Sequence, residues 1–421
     1  MYGKYAVSPR NAQPEFATDL TICTSRFVKL PGKWNFAALN VFGASVSESP
    51  PIKTSPTSGN VSMTGKDSFW KLRSSSDELL HTDLMRFIAA SGIVLTHSFR
   101  FILPRAERME TEFGSGLSFF VDVFFVISGF VIAHFYSDRV STWHEFGRFI
   151  QRRIGRLMPL HLITFGASIA MFAAAAALHF DVENAPTMSF QCLSTAALLL
   201  HAVFICGGNI PNGVSWSISA EMLMYVIFPI FLLIGRAVKY GLIALFVVAL
   251  ISAYYHYEGM HNWIDLDAFR AFPAFVLGLL LHRSKPLLAA VSHAWTWAIA
   301  SATLLVAGSF FGWSYTVLLT LAYLCAALAL AADCGGRAGP VVARLAPLGQ
   351  LTYGIYMIHL LVITTLVNGI GDKLLNLSQS QLAIVLVGSY AVIGLLSLLS
   401  FKYVEGPARG WIDGLPIFKS K

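Results

Sequence analysis

Arg86 and His97 stand eleven positions apart in a stretch that is otherwise mostly apolar, from His81-Thr-Asp-Leu-Met-Arg86 to Thr96-His97-Ser98. On an α-helix that spacing is about three turns, roughly 16 Å along the axis, so both side chains share one face. An ionisable group inside an apolar span is costly and faces the protein interior or a water-filled cavity, which makes each a candidate for chemistry. A neutral imidazole suits a general base or a nucleophile. A guanidinium suits a bound anion or developing negative charge. The plainer role for His97 is a buried ring satisfied by a nearby hydroxyl.

Further groups of this kind follow along the chain. The run Arg148-Phe-Ile-Gln-Arg152-Arg153-Ile-Gly-Arg156-Leu-Met-Pro159 is expected, if helical, to put Arg148, Arg152 and Arg156 on one face with Arg153 beside them, and Pro159 to mark a break. Such guanidinium forks fit the phosphates of a nucleotide, and they equally fit anchoring at a membrane surface. Asp122 lies in an apolar run ending at Ser128 and Gly129, whose small side chains permit close helix packing. Ser215-Trp216-Ser217-Ile-Ser219-Ala-Glu221 carries a carboxylate into a span, where it needs a partner or an altered pKa; Trp216 also suits a membrane interface. Tyr353-Gly-Ile-Tyr356-Met-Ile-His359 puts a second imidazole inside a span, either for proton transfer or for packing. The five cysteines show no C-x-x-C spacing, so neither a metal site nor a disulfide framework is expected.

The elements that must position these groups are membrane helices. Of 421 residues, 55% are hydrophobic and 13% are charged, about half the charged fraction of an ordinary soluble domain. Apolar segments fall at 84–103, 118–136, 158–178, 190–206, 216–235, 238–254, 268–282, 293–311, 313–332, 352–370 and 381–401. Basic loops at 137–157, 236–239, 283–285 and 337–344 alternate with acidic or neutral ones, and the positive-inside rule puts the basic ones in the cytoplasm. The alternation leaves no room for 190–206 to cross. The expected fold is therefore all-α and polytopic, with about ten transmembrane helices plus a re-entrant or interfacial segment at 190–206. Eleven spans with one loop breaking the charge rule is the alternative. Residues 1–80, rich in Ser, Thr, Pro and Gly, are expected to be a disordered cytoplasmic tail, or to lie upstream of a translation start at Met63. Residues 81–410 form the membrane domain and 411–421 a short tail, with both termini cytoplasmic. The charge of +7 reflects this topology, and no nucleic-acid partner is expected.

Six motifs in order resemble the acyltransferase-3 family of membrane-bound acyltransferases, over roughly 80–410. They are Arg86 with His97, the Gly116-x-x-x-x-x-Asp122-x-Phe-Phe-x-x-Ser-Gly-Phe run ending at Phe130, Arg153-x-x-Arg156, Ser215 to Glu221, Tyr353 to His359, and Tyr403-x-Glu405-x-Pro407. Departures are mild: the stretch before Arg86 reads Thr82-Asp83-Leu-Met, and Ile358 replaces a common tryptophan. The resemblance implies a bacterial inner-membrane enzyme that moves an acyl group, most simply acetyl from acetyl-CoA, onto a hydroxyl of a surface or secreted glycan. It implies no metal and, as partners, the bilayer and a polysaccharide-building machinery. By the same resemblance Arg153 and Arg156, with Arg152 beside them, hold the donor phosphates; His97 is the base or a transient acyl carrier, and Arg86 steadies the thioester oxygen. Glu221 completes the catalytic set, while Asp122, Trp216, Ser217, Tyr353 and His359 serve acceptor binding or proton transfer. A proton-coupled transporter or flippase using the same buried groups is the rival reading.

Overall fold

A computed structural model describes residues 79–102, 115–180, 182, 185–203, 209–259 and 267–418. The expectations for the tail before residue 79, for the acidic positions Asp181, Glu183 and Asp265, and for Cys23 and Cys206 lie outside the described residues. Every regular element among the described residues is helical: α1 (Leu80–Ile102), α2 (Phe120–Tyr136), α3 (Trp143–Ala177), α4 (Phe190–Ala197), α5 (Ser215–Ala237), α6 (Gly241–Gly259), α7 (Asp267–Arg283), α8 (Lys285–Ala289), α9 (Ala294–Phe310), α10 (Tyr315–Gly335), α11 (Pro340–Leu345), α12 (Thr352–Ile363), α13 (Gln379–Ser400) and α14 (Gly406–Gly414). Lipid favours this outcome because a helix satisfies its backbone polar groups internally.

Among the described residues, six helical stretches are long and apolar enough to cross a membrane: Gly116–Tyr136, Trp143–Ala177, Ser215–Ala237, Tyr315–Gly335, Pro340–Leu374 and Gln379–Gly414. Gly241–Ser252 and Ala294–Phe310 are shorter apolar helices. Six, not ten, thus meet the demands of length and composition. In the 190–206 segment, α4 has eight residues, about 12 Å of helix, far short of the ~30 Å hydrocarbon core. It is pinned from the side. The His161 ring Nε2–H donates to the Ala196 carbonyl (2.9 Å), and Ser219 Oγ donates to the Leu199 carbonyl (2.7 Å) while accepting from the Ala202 N–H (2.9 Å).

Two local expectations are corrected. Pro159 does not break the chain, because α3 runs unbroken through it from a capping box in which Thr142 and Glu145 satisfy each other's backbone N–H groups. Proline removes one helical hydrogen bond, a loss that membrane helices tolerate when neighbours compensate; in the same turn the Leu157 carbonyl accepts from the Tyr353 hydroxyl (2.5 Å). The basic run is thereby the first part of a spanning helix, not a separate loop helix. Second, Cys192 is disulfide-bonded, while Cys325 and Cys334 are free. A single bridge closed by the fold leaves no spacing signature in the sequence.

Close packing centres on α2, which is buried along most of its length. A Cβ on Gly129 would strike the Phe275 carbonyl oxygen, and one on Gly278 would strike that of Val126, so α2 and α7 meet backbone to backbone. The basic loops gather at one end of the bundle. There Arg236 donates to the Ser137 carbonyl (2.8 Å), and Lys285 lies 2.6 Å from the ring of His134. At the same end Asp333, on α10, accepts from the Thr82 N–H (2.9 Å), the Thr82 hydroxyl (2.7 Å) and the His81 N–H (3.0 Å) and ring (2.8 Å). This carboxylate caps the N-terminus of α1, where the helix dipole and the orphan amides favour an anion. It fixes the register of the helix that carries Arg86 and His97.

Candidate active site

A cavity of about 270 Å³ opens between α1, α2, α3, α5, α12 and the turn before α14. Its walls carry four guanidiniums, Arg86, Arg153, Arg156 and Arg409, against three carboxylates, Asp83, Glu221 and Glu405, with Phe124, Phe125 and Ile218 among the apolar lining. Arg86 and Asp83, one turn apart on α1, pair at 3.3 Å. Asp83 is held there because the 3₁₀ turn Ala346–Leu351 lies directly on it: a Cβ on Gly349 would collide with the Asp83 backbone and side chain.

Arg153 is 9% exposed. Its guanidinium lies over the rings of Tyr136 (4.9 Å), Phe149 (5.5 Å) and Tyr225 (5.5 Å), an aromatic cage that steadies a cation by its ring quadrupoles. Glu221 Oε1 accepts from the Ser128 hydroxyl (2.6 Å), which ties α5 to α2, and from the Tyr225 hydroxyl one turn along α5 (2.5 Å). At the far side, Glu405 is 3% exposed, sits at the end of a π-helical turn (Phe401–Glu405), and accepts from Ser400 Oγ (3.0 Å). Arg156 and Arg409 both act on it electrostatically. Arg409 is brought in by α14, which docks on α3 where Gln151 donates to the Ile412 carbonyl (2.5 Å) and Gly155 leaves room for Ile412.

Of the residues singled out in the sequence, the cavity brings together Arg86, Arg153, Arg156, Ser217, Glu221 and Tyr353. Four others lie beyond its lining, and Arg152 is exposed on the outer face of α3, beside the hydroxyl of Tyr136. The expected single face of Arg148, Arg152 and Arg156 therefore divides, since Arg148 and Arg152 are exposed while Arg156 turns to the cavity and Arg153 is buried. His97 and His359 form a pair, with ring centroids 5.2 Å apart, that is separated from the cavity by Tyr356. The Tyr356 hydroxyl lies 2.7 Å from Ser217 Oγ and donates to the Val214 carbonyl (3.1 Å); its ring is 5.9 Å from that of His359. His359 is fully buried. Its Nδ1–H donates to the Ile355 carbonyl (3.1 Å), which leaves Nε2 as the unprotonated nitrogen, with no hydrogen-bond partner among the described residues.

Asp122 and Trp216 belong to a separate cluster. Arg270 donates to Asp122 Oδ2 from Nε (3.0 Å) and Nη2 (2.7 Å), to the Ser118 carbonyl (2.7 Å), and lies over the Trp216 ring at 5.5 Å. This buried pair joins α2, α5 and α7. Arg270 was legible by the same argument as Arg86, a guanidinium within an apolar segment. Ser128 and Tyr225 left no such signal, because neither is costly to bury once hydrogen-bonded, and Arg409 and Asp333 pass in the sequence as residues at span ends.

Apolar helices long enough to cross a membrane surround a charge-lined cavity, with a histidine pair behind Tyr356. The family model described as "Acyltransferase domain" (acyltransferase-3) matches residues 81–400, and the chain belongs to that family. It is also similar to the acyltransferase MdmB of Streptomyces mycarofaciens, at 32% identity over 119 residues. That match covers 28% of this chain and 29% of the relative, so it spans under a third of either protein. No solved structure matches. The family model is described as an acyltransferase domain, and the chain spans under a third of the curated relative's length.

Proposed function

We propose that the protein transfers an acyl group, acetyl in the simplest case, from acyl-CoA to a hydroxyl of a surface or secreted glycan at the bacterial inner membrane. The observation that carries this reading is the cavity in which Arg86, Arg153, Arg156 and Arg409 converge. Guanidinium forks match phosphate oxygens, and a nucleotide-bearing thioester needs such a cradle. We place the cavity on the cytoplasmic side, since the basic loops gather at its end of the bundle. On the alternation of basic with acidic or neutral loops, we read α1, α2, α3, α5, α6, α7, α9, α10, α12 and α13 as ten crossings, with both termini in the cytoplasm and α4 as the interfacial segment.

The donor supplies an activated acyl thioester. Arg153, Arg156 and Arg409 hold its phosphates, and Arg86, about three helical turns from His97 on α1, holds the donor at the cavity end of the path. His97 takes the proton of the acceptor hydroxyl as that oxygen attacks the acyl carbon, and returns it to the departing thiolate as the carbon–sulfur bond breaks. His359 orients and buffers His97 across their ring contact, and Tyr356 with Ser217 forms the polar passage from the cavity to the pair. Glu221 holds Ser128 and Tyr225 in the cavity wall. The acceptor reaches the histidines from the Asp122–Trp216 side, and in the cell the enzyme works beside the polysaccharide-building machinery.

The test is incubation of membranes carrying the protein with acyl-labelled acetyl-CoA. Label should appear in the glycan fraction, and His97→Ala should abolish it while inserting normally. General-base loss alone costs about 10²–10⁴ in rate. A transporter would leave no label in either sample, and a His97→Ala protein with most of its turnover would remove His97 from the mechanism.

A further inference from the structure

A second cavity, about 200 Å³, lies at the basic end between α2, α5, α6 and α7. It shares no lining residue with the first. Its polar rim carries Arg236, Arg283 and Asp138, and its floor is apolar, with Phe231, Leu242 and Leu279. Arg236 is oriented by its hydrogen bond to the Ser137 carbonyl (2.8 Å). Arg283 lies across Gly235, where any Cβ would strike the guanidinium. Two guanidiniums against one carboxylate leave the rim positive. Along α5 and at the start of α6, Leu233, Val238 and Ile243 are about half or more exposed, at 64%, 54% and 49%, and α5 is long and apolar enough to cross a membrane.

We propose that this cavity binds the phosphodiester headgroup of an anionic phospholipid. Arg236 and Arg283 bracket the phosphate, the glycerol backbone sits over the apolar floor, and the acyl chains run along the exposed leucine, valine and isoleucine side chains of α5 and α6. Basic pockets between helices at the basic membrane face recognise such headgroups, and the guanidinium matches the phosphate geometrically. The exposed apolar surface selects a lipid over a soluble phosphate, which has no use for it. Asp138 opposes the anion and limits its affinity.

The experiment is native mass spectrometry of the full chain from micelles containing phosphatidylglycerol and phosphatidylcholine in equal amounts. The wild type should retain phosphatidylglycerol in preference to phosphatidylcholine. Arg236→Gln with Arg283→Gln, which keeps a donor toward the Ser137 carbonyl while removing both charges, should lower that retention about tenfold. Asp138→Asn should raise it, a gain that a merely structural role would not give. Equal retention of the two lipids by the wild type, or unchanged retention in the double variant, overturns the proposal. Displacement of the lipid by equimolar sn-glycerol 3-phosphate assigns the site to soluble phosphates and overturns the lipid source.

Discussion

Two sets of arginines sit toward the same basic end of the bundle, and the sequence presents them alike. Arg148 and Arg152 are exposed on α3, whereas Arg153 and Arg156, on the same helix, are turned inward to a cavity that also holds Arg86 and Arg409. The difference follows the helical rotation, which carries Arg156 and then Arg153 progressively round from the exposed side of Arg148 and Arg152. It teaches that a positive-inside run can hold two kinds of arginine at once: exposed members suited to a membrane surface, and inward members, of which Arg153 is caged by Tyr136, Phe149 and Tyr225 and Arg156 lines the cavity. Charge counts cannot separate them; their positions around the helix can.

The contrast is sharpest in donor kinetics. Arg153→Ala with Arg156→Ala should raise the KM for acetyl-CoA by about a hundredfold, since each lost charge-assisted contact is worth about 1.5–3 kcal/mol. Arg148→Ala with Arg152→Ala should leave it within about twofold, as exposed charges contribute little. Equal effects would reduce all four to topological anchors. A smaller effect should mark the passage behind the cavity: Tyr356→Phe removes the hydroxyl at Ser217 and should lower kcat about fivefold with the donor KM unchanged. A change in KM alone would move Tyr356 into the donor site. The smallest effect should be on stability. Gly129→Ala, where the new Cβ meets the Phe275 carbonyl, should destabilise the α2–α7 contact by about 1–3 kcal/mol, read as a lower Tm in detergent. Gly166→Ala on α3, with nothing near the new Cβ, should leave Tm unchanged or raise it.

Much of the fold was legible because lipid permits few structures. Apolar length marked the helices, and loop charge marked their ends. Pro159 misled because a proline within a lipid-facing helix costs one hydrogen bond that the bundle replaces. Cys192 misled because a single disulfide has no motif. At the site, Arg86 and Glu221 announced themselves by the expense of burying charge, whereas Arg153 and Arg156 stood apart from their neighbours only by the family resemblance. Ser128, Tyr225 and Asp333 did not, because their value lies wholly in what the fold places opposite them, at Glu221 and at the start of α1.

The central claim is that the four-arginine cavity receives the donor phosphates. Electron cryomicroscopy of the protein in nanodiscs with acetyl-CoA tests it most directly. Phosphate density is expected against Arg153, Arg156 and Arg409, with the thioester end turned toward Tyr356. Density on the outer face of α3 at Arg148 and Arg152, with the cavity empty, would contradict it.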